Sequence, residues 1–512
     1  MSDKDDDVEE EEESMHDTES EERDEFVEVT TGDGVVRGRW RPTTGGRGEP
    51  RSAAFLGIPF AEAPVGDLRF AAPMPVAPWE GTRDALAYGA TAQRGDPGVT
   101  LIPEPSVEGP ATLNVNVFTP APQPAAPSEG LPVLVWIHGG GYVAGSPASP
   151  WYDGRNFNRD GVVTVSLSYR LGFDGFGWID GAPQNRAVRD WLLALEWVQR
   201  NIAAFGGDPA RVTIAGQSAG GGAVLTLLGM EAAQHLFHAV YALSGAVVDI
   251  PADRAQAFSR GLARDAGVPA TRDGFASVPE ERLLALQREA ADIGEESIAA
   301  SLDEGLALGP VVDGELILRP TAESLRIGVG ADKPLVLGST DDEFTMAFAD
   351  AEQKLGDDQL DQLLDQMGLR GEVKDRYLHD NADVVALGPG RLAGRVLTDR
   401  MFRVGVPRVA AVRGAAPTWA YRFSWPSGRF GFAEHCLDVP FFFDCLDGPA
   451  MEPLAGPNPP QQLADEVHSA AVRFVVDGDP GWPRYGAEKT ARVYDELTRD
   501  LPDAYAAVAS LI

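Results

Sequence analysis

Cysteine is scarce in this 512-residue sequence, which holds only Cys436 and Cys445. Two thiols are too few for a disulfide framework. Lysine is scarce too: five of the 43 basic residues are Lys, and Asp and Glu outnumber Lys and Arg 78 to 43. With a net charge of −35 and no basic cluster, the chain lacks what phosphate contacts require. Nucleic acids and anionic membranes are therefore not expected partners. No apolar run approaches the ~18 residues that a membrane-crossing helix needs. The first strongly apolar segment, Leu131–Ile137, is strand-sized. The start of the chain lacks the basic region, apolar core and small-residue cleavage site of an export signal. A cytoplasmic protein with reduced thiols is the expectation. Cys and His residues show no metal-ligand spacing, and no metal or organic cofactor is expected.

What the first 25 residues do hold is acid: 15 Asp and Glu against Lys4 and Arg23, a net of −13. Such a block cannot bury apolar surface, and residues 1–25 read as a disordered, solubilising tail. The remaining residues carry −22 and are acidic in their own right. Hydrophobic residues make up 44% of the chain, enough for a sizeable core. Residues 26–512 are read as one large domain, a length that α/β enzymes reach without dividing.

Phe26 to Trp40 reads as a hairpin around Thr31–Gly34. Residues 41–110 are rich in Pro and Gly and read as long loops around short strands. From 113 onward strand and helix signals alternate. Leu113–Phe118, Leu131–Ile137, Val162–Leu167, Val212–Ala215, Ala239–Leu243, Pro334–Leu337 and Thr418–Phe423 read as strands. Val188, Trp191, Leu192, Leu195 and Val198 recur at helical spacing, which predicts a helix over about 185–203. Further helices are predicted over 219–228, 253–266, 281–292, 359–378, 391–412 and 462–477. Alternation of this kind implies an α/β fold: a mainly parallel, doubly wound sheet with an antiparallel hairpin at its start. The helical block within 253–412 reads as a cap around a site, or as a separate helical subdomain.

The strongest chemical signal is Gly216-Gln217-Ser218-Ala219-Gly220, between a short strand and a small-residue helix. Glycines two residues either side of a serine let strand and helix approach closely. The turn then holds the serine hydroxyl out of the sheet in a strained conformation, as a nucleophile requires. The second signal is His138-Gly139-Gly140-Gly141-Tyr142, directly after an apolar strand. Its glycines let two backbone N–H groups point into a site. With the N–H of Ala219 they can cradle the oxyanion of a tetrahedral intermediate. A phosphate loop is a poorer reading, because no Gly-Lys-Ser/Thr follows.

A serine nucleophile needs a base, and the base an acid. In this fold the acid and then the histidine follow the serine along the chain. That order leaves His379, His435 and His468. His379 and His468 fall in helical stretches where a solvated surface histidine is the default. His435 falls in an irregular loop, Phe430–Cys436, read as preceding a strand. His435 is therefore the candidate base. Acid candidates cluster in Asp341, Asp342 and Glu343, directly after a strand, with Glu434 a fourth.

These segments in order resemble the type-B carboxylesterase family, which includes cholinesterases and bacterial para-nitrobenzyl-type esterases. Phe55–Pro64, Leu113–Pro120, Pro132–Tyr142, Trp197–Pro209 and Gly309–Gly314 carry the resemblance beside the serine motif. It implies the α/β-hydrolase fold with helical cap insertions, and a serine esterase working through an acyl-enzyme. It further implies Ser218 as nucleophile, Glu343 as acid, His435 as base, and Gly140, Gly141 and Ala219 as the oxyanion hole. Ser244 resembles a serine that braces the triad from behind. Gln217 stands where cholinesterases carry a glutamate, which weakens a choline-ester reading. Pro110–Thr112 replaces the family's early Glu-Asp-Cys, so its first disulfide cannot form. The implied partner is a small-molecule ester, and a monomer is compatible with the sequence. The alternatives are an amide or carbamate hydrolase with the same machinery, or a silent scaffold of the same fold.

Overall fold

The computed structural model describes residues 25–44, 51–95, 100–123, 130–291, 302, 305–348 and 357–512. Residues 1–24, almost all of the acidic tail, lie outside these.

A single large sheet organises the chain. Its first strands are β1 (Phe26–Thr30), β2 (Val35–Pro42), β3 (Arg51–Pro59), β4 (Thr82–Asp84) and β5 (Asn114–Thr119). They are followed by β6 (Leu131–Ile137), β7 (Val163–Leu167), β8 (Gly207–Gln217) and β9 (Ala239–Leu243). A two-stranded ribbon, β10 (Ile250–Pro251) and β11 (Val311–Val312), stands apart from the sheet. The last strands are β12 (Leu335–Thr340), β13 (Thr418–Phe423), β14 (Ala491–Tyr494) and β15 (Arg499–Leu501). The spatial order is β1-β2-β3-β5-β7-β6-β8-β9-β12-β13-β14-β15, with β4 beside β2.

From β7 to β14 every neighbouring pair is parallel. The β1–β2 hairpin forms as expected, with Thr30 paired to Val35. The antiparallel portion is larger than that hairpin, since β2–β3, β3–β5, β5–β7 and β14–β15 are antiparallel too. The nine-residue β3 falls inside the stretch read as loops. It is buried along most of its length, so it lacks the in–out alternation that marks a strand in sequence.

The centre of the sheet is covered on both faces. Along β6, Val133, Val135 and Ile137 join one apolar cluster while Leu134 and Trp136 join another. The helix Arg186–Asn201 buries Val188, Trp191, Leu195 and Val198 in the first cluster, as its spacing predicts. The helix Gln461–Asp477 packs Leu463, Val467 and Phe474 into the second.

The helical block divides. β12 passes through its middle, so it is an insertion on either side of a central strand. The helix expected over 359–378 is two, Asp357–Gln366 and Gly371–Asp380. Gly368 takes φ +82° between them, and Leu369 N–H closes on Leu364 O at 2.9 Å, a left-handed helix stop. The helix expected over 391–412 is interrupted as well. Pro389–Thr398 and Gly405–Arg413 are α-helical, but Asp399–Arg403 is a π-turn. Leu364, Met367, Tyr377 and Val396 give this insertion a small core of its own.

Candidate active site

The site forms where the central parallel strands end together. Ile137 of β6 is level with Gly216 of β8, and Gln217 is level with Leu243 of β9. Leu243 in turn pairs with Gly338 of β12. Loops leaving these strands emerge on one edge, the usual place for a site in such sheets.

Ser218 stands between β8 and the helix Ala219–Leu228 with φ 58° and ψ −121°. A non-glycine residue occupies that region only under strain. The surroundings impose it. Ser218 N–H donates to Leu243 O at 2.9 Å, and Gly222 N–H donates to Ser218 O at 2.9 Å. The flanking glycines are required by space. A Cβ on Gly220 would lie 2.0 Å from Ile137 O, and one on Gly216 would lie 2.5 Å from Gly220 O.

His435 Nε2 lies 3.0 Å from Ser218 Oγ. Its Nδ1 is bonded to Glu343 Oε2, and its backbone N–H donates to Glu343 O at 2.9 Å. Glu343 is fully buried, and its Oε1 accepts the Thr340 N–H at 2.9 Å. Phe344 and Phe402 pack on the imidazole with ring centroids 4.8 and 5.1 Å away. Phe402 comes from the π-turn, a feature frequent at functional sites. The sequence offered no signal for either aromatic contact.

The other acid candidates are occupied elsewhere. Asp341 accepts both Arg422 Nε at 2.9 Å and Arg422 Nη2 at 2.7 Å, and also the Ser424 hydroxyl at 2.7 Å. Burial alone would raise its pKa, but Arg422 and Arg403 outweigh burial and hold the carboxyl well below the usual range. Asp342 is paired with Arg395 at 3.2 Å and Arg391 at 3.4 Å. Glu434 accepts Met346 N–H at 3.1 Å, and burial pushes its carboxyl up to about 8.

The glycine loop follows β6. Gly140 has φ 98° and Gly141 has φ 61°. A Cβ on Gly140 would lie 2.2 Å from Ala144 O. Gly140 O accepts Ala144 N–H at 2.9 Å, which curls the loop. Among the described residues no backbone acceptor takes the N–H of Gly140, Gly141 or Ala219. His138 is buried beneath, stacked on Tyr169 at 4.5 Å, and burial pushes its pKa down to about 4. It is a neutral structural support.

Three features differ from what the sequence leads one to expect. His468 is not a solvated surface residue. It is buried, with Nε2 3.0 Å from Asp160 Oδ2 and Nδ1 2.8 Å from Phe442 O. The loop bearing His435 leads into a short helix, Asp438–Phe442, rather than a strand. The Ser244 hydroxyl is buried with no hydrogen-bond partner among the described residues. Leu243 O, one residue earlier, holds Ser218 N–H, while Ser244 N–H donates to Gly338 O at 2.8 Å.

A pocket of about 320 Å³ opens on Ser218 and His435, walled by Leu101, Ile102, Val248, Leu306, Phe344 and Phe402. A larger cavity of about 670 Å³ adjoins it through Gln93, Thr100 and Ala144 but does not reach the serine. Among the described residues no group of His, Cys, Asp and Glu is arranged to hold a metal ion. No described helix is long and apolar enough to cross a membrane.

The sequence profile of the carboxylesterase family matches residues 24–501. The chain belongs to that family. The para-nitrobenzyl esterase of Bacillus subtilis (strain 168) is 33% identical over 460 residues, covering 85% of this chain and 89% of its own. The phenmedipham hydrolase of Pseudarthrobacter oxydans is 34% identical over 484 residues, covering 87% and 93%. A solved PNB esterase superimposes with a TM-score of 0.80 at 30% identity, covering 95% of this chain and 99% of its own. A Geobacillus stearothermophilus carboxylesterase does so at 0.78 and 32%, covering 94% and 98%. This carboxylesterase is a serine-dependent hydrolase of carboxylic esters on the α/β-hydrolase fold.

Proposed function

We propose that Ser218 is the nucleophile, His435 the general base and Glu343 the acid that orients it. The observation that carries this reading is the continuous relay from Glu343 Oε2 through His435 Nδ1 and Nε2 to Ser218 Oγ, its last step 3.0 Å. Glu343 bonded to Nδ1 fixes the proton there and leaves the Nε2 lone pair for the serine hydroxyl. As Ser218 attacks the ester carbonyl, His435 takes its proton. The N–H groups of Gly140, Gly141 and Ala219, free of other backbone acceptors among the described residues, receive the developing oxyanion. His435 then protonates the leaving alcohol, and water repeats the cycle on the acyl-enzyme. The helix Ala219–Leu228 begins at the nucleophile, so its positive end lies under the developing charge. Ser244 is read as the serine that braces the triad from behind, one residue after Leu243, whose carbonyl holds Ser218 N–H.

The pocket walls favour neutral, largely apolar esters of modest size. Relatives named for para-nitrobenzyl esters, phenmedipham and fumonisin B1 support one machinery behind variable walls, which keeps amide and carbamate hydrolysis as the second reading. The reading of residues 26–512 as the catalytic domain is supported by the family match over residues 24–501. Cys436 and Cys445 are both free and buried, which supports a reducing, cytoplasmic setting. The reaction needs no nucleic acid and no cofactor, and its partner is the small-molecule ester.

The test is chemical labelling. A fluorophosphonate should add once, on the peptide holding Gly216–Gly220. Ser218→Ala should lower kcat on p-nitrophenyl butyrate by about 10⁴–10⁶ with unchanged circular dichroism. A folded Ser218→Ala protein with near-normal turnover would overturn the mechanism.

A further inference from the structure

Outside the relay, the polar side chain closest to the reacting atoms is Gln217. It is 1% exposed, and its Nε2 lies 3.1 Å from His435 Nε2. That same ring nitrogen is 3.0 Å from Ser218 Oγ. The amide is confined from the other side. A Cβ on Gly139 would meet Gln217 Oε1 at 3.0 Å and Gln217 O at 2.9 Å, so the side chain is packed beneath the glycine loop.

Two groups therefore converge on one nitrogen. With its Nδ1 proton held by Glu343, neutral His435 offers a single lone pair at Nε2. Once the serine proton has moved, the same nitrogen is a donor and needs acceptors. An amide supplies both faces: N–H toward the lone pair, or oxygen toward the N–H after a half-turn of its last torsion. A carboxylate could only accept, and would attract a proton to Nε2 before substrate arrives. The other groups around His435 are Glu343 on Nδ1, Ser218 on Nε2 and the Phe344 and Phe402 rings. The Glu434 carboxyl and Cys436 thiol flank it in its own loop, and Asp438 lies on the following helix. Among the described residues no Lys or Arg bonds its ring. The imidazole thus faces acids, and a further negative charge at position 217 would bias it toward the protonated, inactive form.

We propose that Gln217 is a positioning residue for His435, sharing Nε2 with the Ser218 hydroxyl at rest and turning its oxygen toward the ring N–H in the tetrahedral intermediates. The proposal rests on His435 being the base.

The experiment is a pH–rate profile on p-nitrophenyl butyrate for wild type, Gln217→Glu, Gln217→Met and His435→Ala. In Gln217→Glu the acid limb of kcat/KM should move up by about 1–2 pH units, the shift an opposite charge produces at this range. In Gln217→Met the limb should not move up. Its kcat should fall about tenfold with KM within about twofold, because the lost contact is made to the imidazolium of the intermediates. A purely structural role would lower activity without displacing the limb. A Gln217→Glu profile superimposable on wild type, with His435→Ala inactive, overturns the proposal alone. An active His435→Ala enzyme removes the base assignment and the proposal with it. Should Gln217→Glu not fold, a Gln217→Met enzyme with kcat within twofold of wild type also overturns the proposal.

Discussion

Replacing Glu343 by Gln keeps the side chain's size and removes its charge, and the local geometry dictates the consequence. Glu343 receives two donors, Thr340 N–H on Oε1 and His435 Nδ1–H on Oε2, in full burial. Gln has one acceptor and one donor group to place between them. If its oxygen faces His435, its NH₂ meets the Thr340 N–H, and two donors oppose each other away from water. That arrangement costs about 1–3 kcal/mol of folding stability. If its NH₂ faces His435, the imidazole must accept at Nδ1 and carry its proton on Nε2. The ring then points a donor at Ser218 Oγ and cannot act as base. Neither orientation stabilises an imidazolium. The expected loss in kcat is about 10³–10⁴, equivalent to roughly 4–5.5 kcal/mol of transition-state stabilisation. The assay is steady-state hydrolysis of p-nitrophenyl butyrate near pH 8, with circular dichroism and a thermal melt as folding controls. Asp342→Asn and Glu434→Gln belong in the same series, since their hydrogen bonds lead away from the imidazole. A Glu343→Gln enzyme within tenfold of wild type, beside a collapsed Glu434→Gln or Asp342→Asn, would refute the assignment of the acid and leave the serine mechanism standing.

Neighbouring contacts make three further outcomes testable. Asp341→Asn should be a folding variant, because it removes the charge facing Arg422 and leaves buried Arg403 with Asp399 as its carboxylate partner. A loss of about 1–3 kcal/mol is expected by urea unfolding, with kcat of the folded fraction within about tenfold; an unchanged unfolding midpoint contradicts it. Gly220→Ala should displace the elbow, since its Cβ would sit 2.0 Å from a backbone oxygen. Expression should fall, or kcat should drop at least a hundredfold in soluble protein; a fully active Ala variant would show that the helix can shift. Burial raises Glu434 to about 8 and Asp438 to about 7, so the folded protein keeps protons that the unfolded chain, with ordinary carboxyls, has lost. Stability should therefore fall as pH rises from about 5 to 8, and Glu434→Gln should flatten that slope in thermal melts. His138, pushed down to about 4, acts oppositely, withdrawing stability as pH falls below about 6.5.

What the sequence alone determined is local. Gly216–Gly220 announces a strand–turn–helix elbow because only glycine fits beside Ser218, and the close approaches of Gly216 and Gly220 are that constraint in space. The central strands are legible because they are short, β-branched and evenly separated by helices. The helix Arg186–Asn201 is legible because one face meets the sheet. His435 is found by elimination along the chain. Where burial covers both faces of an element, its periodic signal vanishes, and β3 is lost among apparent loops for that reason. His468 reads as surface because its neighbours on the helix mark the stripe, while Asp160 and Phe442 O, which receive it, come from distant segments. The four acids are told apart in space by distant groups: arginines claim Asp341 and Asp342, Met346 N–H takes Glu434, and Glu343 is left facing the imidazole. The π-turn that delivers Phe402 to His435 has no sequence signature that helix periodicity detects. Nor does the contact between Gln217 and His435, 218 residues apart, because long-range contacts are set by how the sheet closes rather than by any local pattern.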